Sequence, residues 1–242
     1  MIDIHCHILP DLDDGASSLE EALEMARMAA ESGVTDIIAT PHFRGEPDSL
    51  EMIDEIDRRC YVLREALIRN EIPVRIHKGA EILCTPQTPA MARQGLLPTL
   101  GDTQYVLTEF YFNESFGFMD SCLRKLAVCG YTPVVAHPER YEAVQWDPEM
   151  IWGWSDAGYV LQINKGSILG TLGVGAEQAA HELLEMGMAH LFASDAHSCE
   201  RRTPNMDGLR RWAQECCDPE CANILLRENP EQILKGLPIV PL

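Results

Sequence analysis

Seven short runs of aliphatic and β-branched residues, each followed by a stretch of helical spacing, constrain this 242-residue chain more than any other feature. The runs are IDIHCHIL (2–9), TDIIATPH (35–42), VRIHKGAEIL (74–83), YVLTEF (105–110), TPVVAHPE (132–139), YVLQINK (159–165) and HLFASDAH (190–197). Helical patterns fall between them near 18–32, 49–70, 117–129, 148–157 and 174–187, with more near 205–226. Ser17 with Glu20, and Ser18 with Glu21, have capping-box spacing at the start of the first. The segment 84–104, with three prolines, is the weakest connection. Strands alternating with helices pair in parallel through right-handed crossovers. No Pro/Gly/Ser-rich linker divides the chain, so residues 1–242 are expected to form one α/β domain. A closed or nearly closed seven-stranded, TIM-like barrel fits this length, and a doubly wound open sheet is the alternative.

The polar residues that end these runs carry the chemistry. The first run holds His5 and His7 and leads to Asp13-Asp14-Gly15. The next three end at His42, Glu81 and Glu109, the fifth at His137-Pro138-Glu139-Arg140, the sixth at Asn164-Lys165 and the seventh at Asp195-Ala196-His197. In a β/α barrel the C-terminal strand ends converge on one face. Residues two apart on a strand share a side, so His5 and His7 project together, as do Asp195 and His197, while Cys6 points towards the helices. Any one such His or Glu is more often a solvated or hydrogen-bonded residue than a ligand. Nine together are another matter: His5, His7, Asp14, His42, Glu81, Glu109, His137, Asp195 and His197 exceed the needs of one tetrahedral site. They suit two or three divalent cations, and the oxygen and nitrogen donors favour Mn, Fe or Zn over a thiolate zinc. His77, His181 and His190 fall outside the pattern.

Composition narrows the classes. A formal charge of −19 argues against nucleic acid as the main partner, because a phosphate backbone is held by Lys and Arg. No apolar run approaches the roughly 20 residues needed to cross a bilayer, and the first residues lack the basic and apolar regions of a signal peptide. Nine cysteines, an odd number without framework spacing, imply reduced thiols and a cytoplasmic setting.

The stretches MIDIHCHILPDLDDGA, TPHF, GAEI, LTEF, AHPERY, QIN and SDAH, in this order, resemble the polymerase and histidinol phosphatase (PHP) superfamily. The opening and AHPERY are most similar to its CpsB/YwqE-type branch of bacterial manganese-dependent tyrosine phosphatases. The resemblance implies a distorted seven-stranded barrel holding up to three metals. His5, His7, Glu81 and Asp195 would hold one, Glu81 and His137 a second, and Asp14, His42, Glu109 and His197 would surround a third. Arg140 and Arg202 match arginines that bind substrate phosphate, a task that bidentate guanidinium chemistry suits. Arg201 competes with its neighbour for that role, and Ser198 stands where many relatives have Asn. The implied reaction is phosphotyrosine hydrolysis by a metal-activated hydroxide, with a tyrosine kinase of capsule or exopolysaccharide synthesis as partner. A small-molecule phosphatase, such as one for histidinol phosphate, would use the same site. A non-catalytic metal-binding module is the reading from another class.

Three features point elsewhere. Cys221 and Arg227 have the C-x5-R spacing of cysteine-dependent phosphatases, but the interval ANILL lacks the glycines of a phosphate-cradling loop. Cys216, Cys217 and Cys221 lack an evident fourth zinc ligand. Trp146, Trp152 and Trp154 would either wall a phosphotyrosine pocket or pack in the core.

Overall fold

The computed structural model describes residues 1–45 and 49–242. Nine strands are present among the described residues: β1 (Ile2–Cys6), β2 (Asp36–Ala39), β3 (His42–Phe43), β4 (Arg75–Lys78), β5 (Glu81–Leu83), β6 (Tyr105–Glu109), β7 (Thr132–Ala136), β8 (Val160–Asn164) and β9 (Leu191–Ala193). Every ladder is parallel. One sheet runs β1-β2-β4 and the other β3-β5-β6-β7-β8-β9.

A single closed ladder of seven strands is therefore not what the chain forms. The second and third expected strands are each broken in two, and the breaks face each other. Pro41 has no N–H to give to a ladder. Gly79 lies so close to the second strand that a Cβ there would meet Ile38 Cγ2 and Leu100 Cδ2 at 2.8 Å. An isolated bridge between Cys6 and Ala196 links β1 to the segment after β9. Asp195 N donates to His5 O at 2.9 Å beside it, and His7 N to Ala196 O at 2.8 Å.

The two faces of the strands bury different sets. Ile2, Ile4, Ile38, Tyr105, Leu107, Val134, Ala136, Val160, Leu191 and Ala193 cluster on the inner face, with Ile233 of the C-terminal helix Asn229–Lys235. The outer face packs under the helices, and Cys6 belongs there with Ile8, Ile37 and Ala39. Strict alternation from Ile2 and Ile4 would send His5 and His7 outwards. The register shows why it does not: Asp3 pairs Ile37 but Cys6 pairs Ala39, so β1 holds one extra residue. This bulge lets Ile4 and His5 both face inwards and moves His7 onto the same side.

The helices follow their local chemistry. Helix Leu19–Glu31 buries Ala22, Met25, Ala26 and Ala29, the stripe of a one-sided helix. Ser18 is its N-cap, accepting from Glu21 N, while the Glu21 carboxylate accepts from Ser17 N rather than completing the box on Ser18. The expected helix at 148–157 is instead a 3-10 turn, Pro148–Ile151, followed by one turn of helix, Trp152–Asp156. The expected helix at 205–226 breaks between Asp207–Cys216 and Pro219–Asn223, because Asp218 Oδ1 accepts from Glu220 N and Cys221 N and restarts the chain. Segment 84–104 supplies the short helix Thr88–Arg93 and a 3-10 turn at Leu100–Asp102. No helix is long and apolar enough to cross a membrane among the described residues.

Candidate metal centre

The nine residues singled out in the sequence come together in one cluster, drawn from strands and from the segments that follow them. Glu81, at the start of β5, is the hub. Its Oε1 lies 2.9 Å from His137 Nε2 and 3.2 Å from His5 Nε2. Its Oε2 lies 3.2 Å from His42 Nδ1 and 3.3 Å from His7 Nε2. Asp195 Oδ1 is 3.4 Å from His5 Nε2, and His42 Nδ1 is 3.0 Å from Glu109 Oε1. On the outer side Asp14 Oδ1 sits 3.3 Å from His42 Nε2 and 3.6 Å from His197 Nε2. Their donor atoms fall into compact sets of His5, His7 and Glu81; His5, His137 and Asp195; His42, Glu81 and Glu109; and His7, Asp14, His42 and His197. Glu109 falls in one set with His42 and Glu81, and His42 is shared with the set that contains Asp14 and His197.

Backbone geometry sets several of these positions. Alternation after Ala136 would turn His137 to the outer face, but its φ of 37° redirects the chain and brings the ring to Glu81. Asp195 (φ 50°) and Arg202 (φ 49°) also lie in the left-handed region. A non-glycine residue held there costs about 1–3 kcal/mol, and such residues cluster at functional sites. Gly15 has a simpler task, since a Cβ there would lie 2.0 Å from His7 O.

Four residues that the sequence pattern left unassigned hold the donors in place. Gln162 Oε1 accepts from His5 Nδ1 at 2.8 Å, and Asp13 Oδ2 from His7 Nδ1 at 2.7 Å. Both imidazoles thereby turn Nε2 towards the centre, only 3.3 Å apart, where a bound divalent ion would take the place of any proton. Asn164 Nδ2 donates to Asp195 Oδ2 at 2.6 Å and accepts at Oδ1 from Gln162 Nε2 at 2.8 Å. Glu139, fully buried, accepts at Oε1 from Asn164 N and Ser167 Oγ. Gln162 and Asn164 lie two apart in an otherwise apolar strand, which is the sequence signal for them.

The field of the site is strongly anionic. Burial pulls the His7 imidazole down, but Asp13 and Glu81 outweigh it and hold it at about 9. Burial likewise opposes His42, yet Glu109 and Glu81 hold it at about 11. Burial would raise Glu81, but His5, His137 and His42 keep its carboxyl well below the usual range. Asp195 is held low in the same way, against burial, by His5, Arg202 and His137. His197 is pushed down to about 4 by burial first and then by repulsion from His7.

The donor set fits divalent cations on a specific observation. Asp195 Oδ1 and His137 Nδ1 are buried without any hydrogen-bond partner. The inward Nε2 atoms of His5 and His7, the carboxylate oxygens beside them and the orphaned Asp195 oxygen form a nitrogen and oxygen donor set that suits divalent cations.

Both arginines expected at the phosphate meet the same carboxylate. Arg140 Nη1 lies 3.5 Å from Asp195 Oδ2, and Arg202 Nη2 contacts that oxygen closely. Ser198 shapes the loop that presents Arg202: its Oγ donates to Arg201 O at 2.6 Å and accepts from Arg201 N at 3.0 Å. His197 N then donates to Arg202 O at 2.8 Å, leaving Arg202 facing Asp195 while Arg201 is exposed.

The remaining candidates lie elsewhere. Cys6 is fully buried on the outer face, where burial raises its thiol well above the ordinary range. Cys221 sits on helix Pro219–Asn223, outside the metal-donor sets among the described residues. Trp154 is buried and stacked on Phe116 at 5.6 Å, so it packs in the core, whereas Trp146 is 91% exposed. His77 pairs with Asp36, His181 packs edge-on to Trp212, and His190 is buried.

A family model described as capsular polysaccharide synthesis, CpsB/CapC, matches residues 1–235. The tyrosine-protein phosphatase YwqE of Bacillus subtilis is 36% identical over 208 residues, covering 84% of this chain and 79% of that protein. The tyrosine-protein phosphatase CpsB of Streptococcus agalactiae serotype V is 31% identical over 98% of this chain and 99% of its own. A crystal structure from the pair YwqE of Bacillus subtilis and CpsB of Streptococcus pneumoniae, described as unique metal-dependent tyrosine phosphatases, superposes with a TM-score of 0.88. It is 32% identical and covers 100% of this chain and 97% of that one.

Proposed function

The chain belongs to the CpsB/CapC family of capsular polysaccharide synthesis, and from that premise we propose that it is a metal-dependent protein-tyrosine phosphatase. The observation that carries this reading is Asp195: one oxygen is orphaned among imidazoles, the other is gripped by two arginines. A cation pocket and an anion pocket thus share one buried carboxylate, which suits a phosphoryl group bound between metal and guanidinium.

His5, His7, Asp14, His42, Glu81, Glu109, His137, Asp195 and His197 would hold two or three divalent ions, manganese by preference and iron or zinc by the same donor chemistry. When bound, such ions polarise phosphoryl oxygens and make a nucleophilic water available near neutral pH. Asp13 and Gln162 fix the tautomers of His7 and His5, and Asn164 fixes Asp195. Arg140 and Arg202 release Asp195 Oδ2 to grip the equatorial phosphoryl oxygens, offsetting charge as the ester bond breaks. A phenol leaves with a pKa of about 10, so little proton donation is required of the protein.

The fold supports the same reading. Taking β2 with β3, and β4 with β5, as single interrupted strands gives seven staves in one domain, and the Cys6–Ala196 bridge joins first to last as in a distorted barrel. A phosphotyrosine-bearing kinase of capsule or exopolysaccharide synthesis, in the cytoplasm, is the partner this reading expects. The test is a phosphatase profile with added Mn²⁺, comparing phosphotyrosine peptides with histidinol phosphate and sugar phosphates. Preference for the peptides is the expected result. Preference for histidinol phosphate would replace this reading with a small-molecule phosphatase on the same centre.

A further inference from the structure

We propose that Phe112 recognises the aromatic ring of the substrate and makes the centre selective for phosphorylated phenols over phosphorylated alcohols; this rests on the phosphatase reading above. Phe112 follows Glu109 by three residues, on the turn that leaves β6. That turn is pinned at both ends: Glu114 N donates to Tyr111 O at 2.9 Å, and Glu142 N donates to Phe112 O at 2.8 Å. Glu142 begins the short helix just after Arg140, so the turn bearing Phe112 and the loop bearing Arg140 are fastened together.

The ring is well supported yet open. Arg140 Cζ stands 4.3 Å from its centroid, the His137 ring is 6.0 Å away edge-on, and the buried Tyr141 ring lies at 6.5 Å. Even so, Phe112 remains 43% exposed. A large apolar ring held in position at the rim of a polar centre is set to receive an apolar partner.

Arg140 connects the two halves of the argument. The same guanidinium touches Phe112 and reaches Asp195 Oδ2 at 3.5 Å. A phosphoryl group that displaces Asp195 from Arg140 carries its leaving group one ester oxygen away, alongside Phe112. A phenyl group there buries both rings and shares the guanidinium face, whereas a short alkyl chain leaves Phe112 in water. The tryptophans offer no substitute: Trp154 packs in the core, and neither Trp146 nor Trp152 forms a ring pair with His137, Tyr141 or Phe112 among the described residues.

Two measurements test this on the full chain loaded with Mn²⁺. First, kcat/KM is compared for a phosphotyrosine peptide and the matching phosphoserine peptide in wild type, Phe112→Ala, Phe112→Leu and Phe112→Trp. Phe112→Ala should lower the tyrosine-to-serine ratio by about tenfold, chiefly through KM, the size expected for one lost aromatic pair with its burial. Phe112→Trp should keep the ratio and Phe112→Leu should fall between. A ratio unchanged in Phe112→Ala, including an equal loss on both peptides, overturns the proposal, because Phe112 would then serve only to brace Arg140. Second, calorimetric titration compares phenylphosphonate with methylphosphonate, which needs no turnover. Wild type should prefer the phenyl compound and Phe112→Ala should lose that preference; equal preference in both proteins overturns the ring site. A wild type that prefers phenylphosphonate but hydrolyses neither peptide refutes the phosphatase reading while supporting the ring site.

Discussion

Replacing Asp13 by Asn removes one acceptor from a carboxylate that uses both oxygens. Asp13 Oδ2 accepts from His7 Nδ1 at 2.7 Å and from His42 N at 2.9 Å, and Oδ1 accepts from Gly15 N at 2.9 Å. The burial of the side chain opposes its charge, but His7 outweighs that and holds the carboxyl at about 2, so it is ionised at neutral pH. An amide has a single oxygen. If it keeps Gly15, its NH₂ faces His7 Nδ1, and the imidazole relieves the conflict by moving its proton to Nε2. That nitrogen then donates towards Glu81 Oε2, 3.3 Å away, instead of offering a lone pair to a metal. Loss of such a supporting partner typically weakens metal binding roughly 10- to 100-fold, which is about 1.4–2.7 kcal/mol. Calorimetric titration of chelator-stripped protein with Mn²⁺ should show that loss in Asp13→Asn, with activity recovering as Mn²⁺ is raised. Mn²⁺ affinity within twofold of wild type would refute the claim that Asp13 sets the His7 tautomer.

Two further outcomes are expected. His190 is buried, with Nδ1 accepting from Leu161 N at 3.0 Å, and burial depresses its pKa from 6.5 to about 4. The folded state therefore binds this proton less well than the unfolded chain, so stability is complete above pH 6.5 and falls as the pH drops towards 4. Urea unfolding should show wild type losing about 2 kcal/mol more than His190→Asn between pH 7 and pH 5; parallel slopes would refute this. Cys221→Ser should hydrolyse phosphotyrosine within about twofold of wild type, since surface substitutions away from a site change little, and an inactive but folded variant would reopen cysteine chemistry.

How much of this was legible follows from the kind of interaction involved. The strand positions could be read because β-branched alternation is local, and the clustering of the nine candidate side chains because all but Asp14, in the loop after the first run, fall at or near the end of such a run. The breaks in the second and third strands could not, since Thr40-Pro41 and Gly79-Ala80 interrupt ladders only through contacts with each other's strand. The inward turn of His5 and His7 was expected from two-residue spacing. It depends in fact on a bulge that spacing does not reveal, because the preceding Ile2 and Ile4 also face inwards. Gln162 and Asn164 were visible only as polar interruptions of an apolar strand, and Asp13 was overshadowed by Asp14 beside it. Phe112 had no periodic signal at all: its position depends on a turn pinned to Glu142, 30 residues further along.

The most direct test is metal removal followed by reconstitution, read on one substrate. Protein stripped of divalent ions should lose phosphotyrosine-peptide hydrolysis and regain it with Mn²⁺, with two or three ions bound per chain by elemental analysis. Folded Asp195→Ala should not recover under the same treatment, because both the cation pocket and the arginine grip lose their shared carboxylate. Hydrolysis that survives thorough stripping, or that Asp195→Ala retains, would contradict the account.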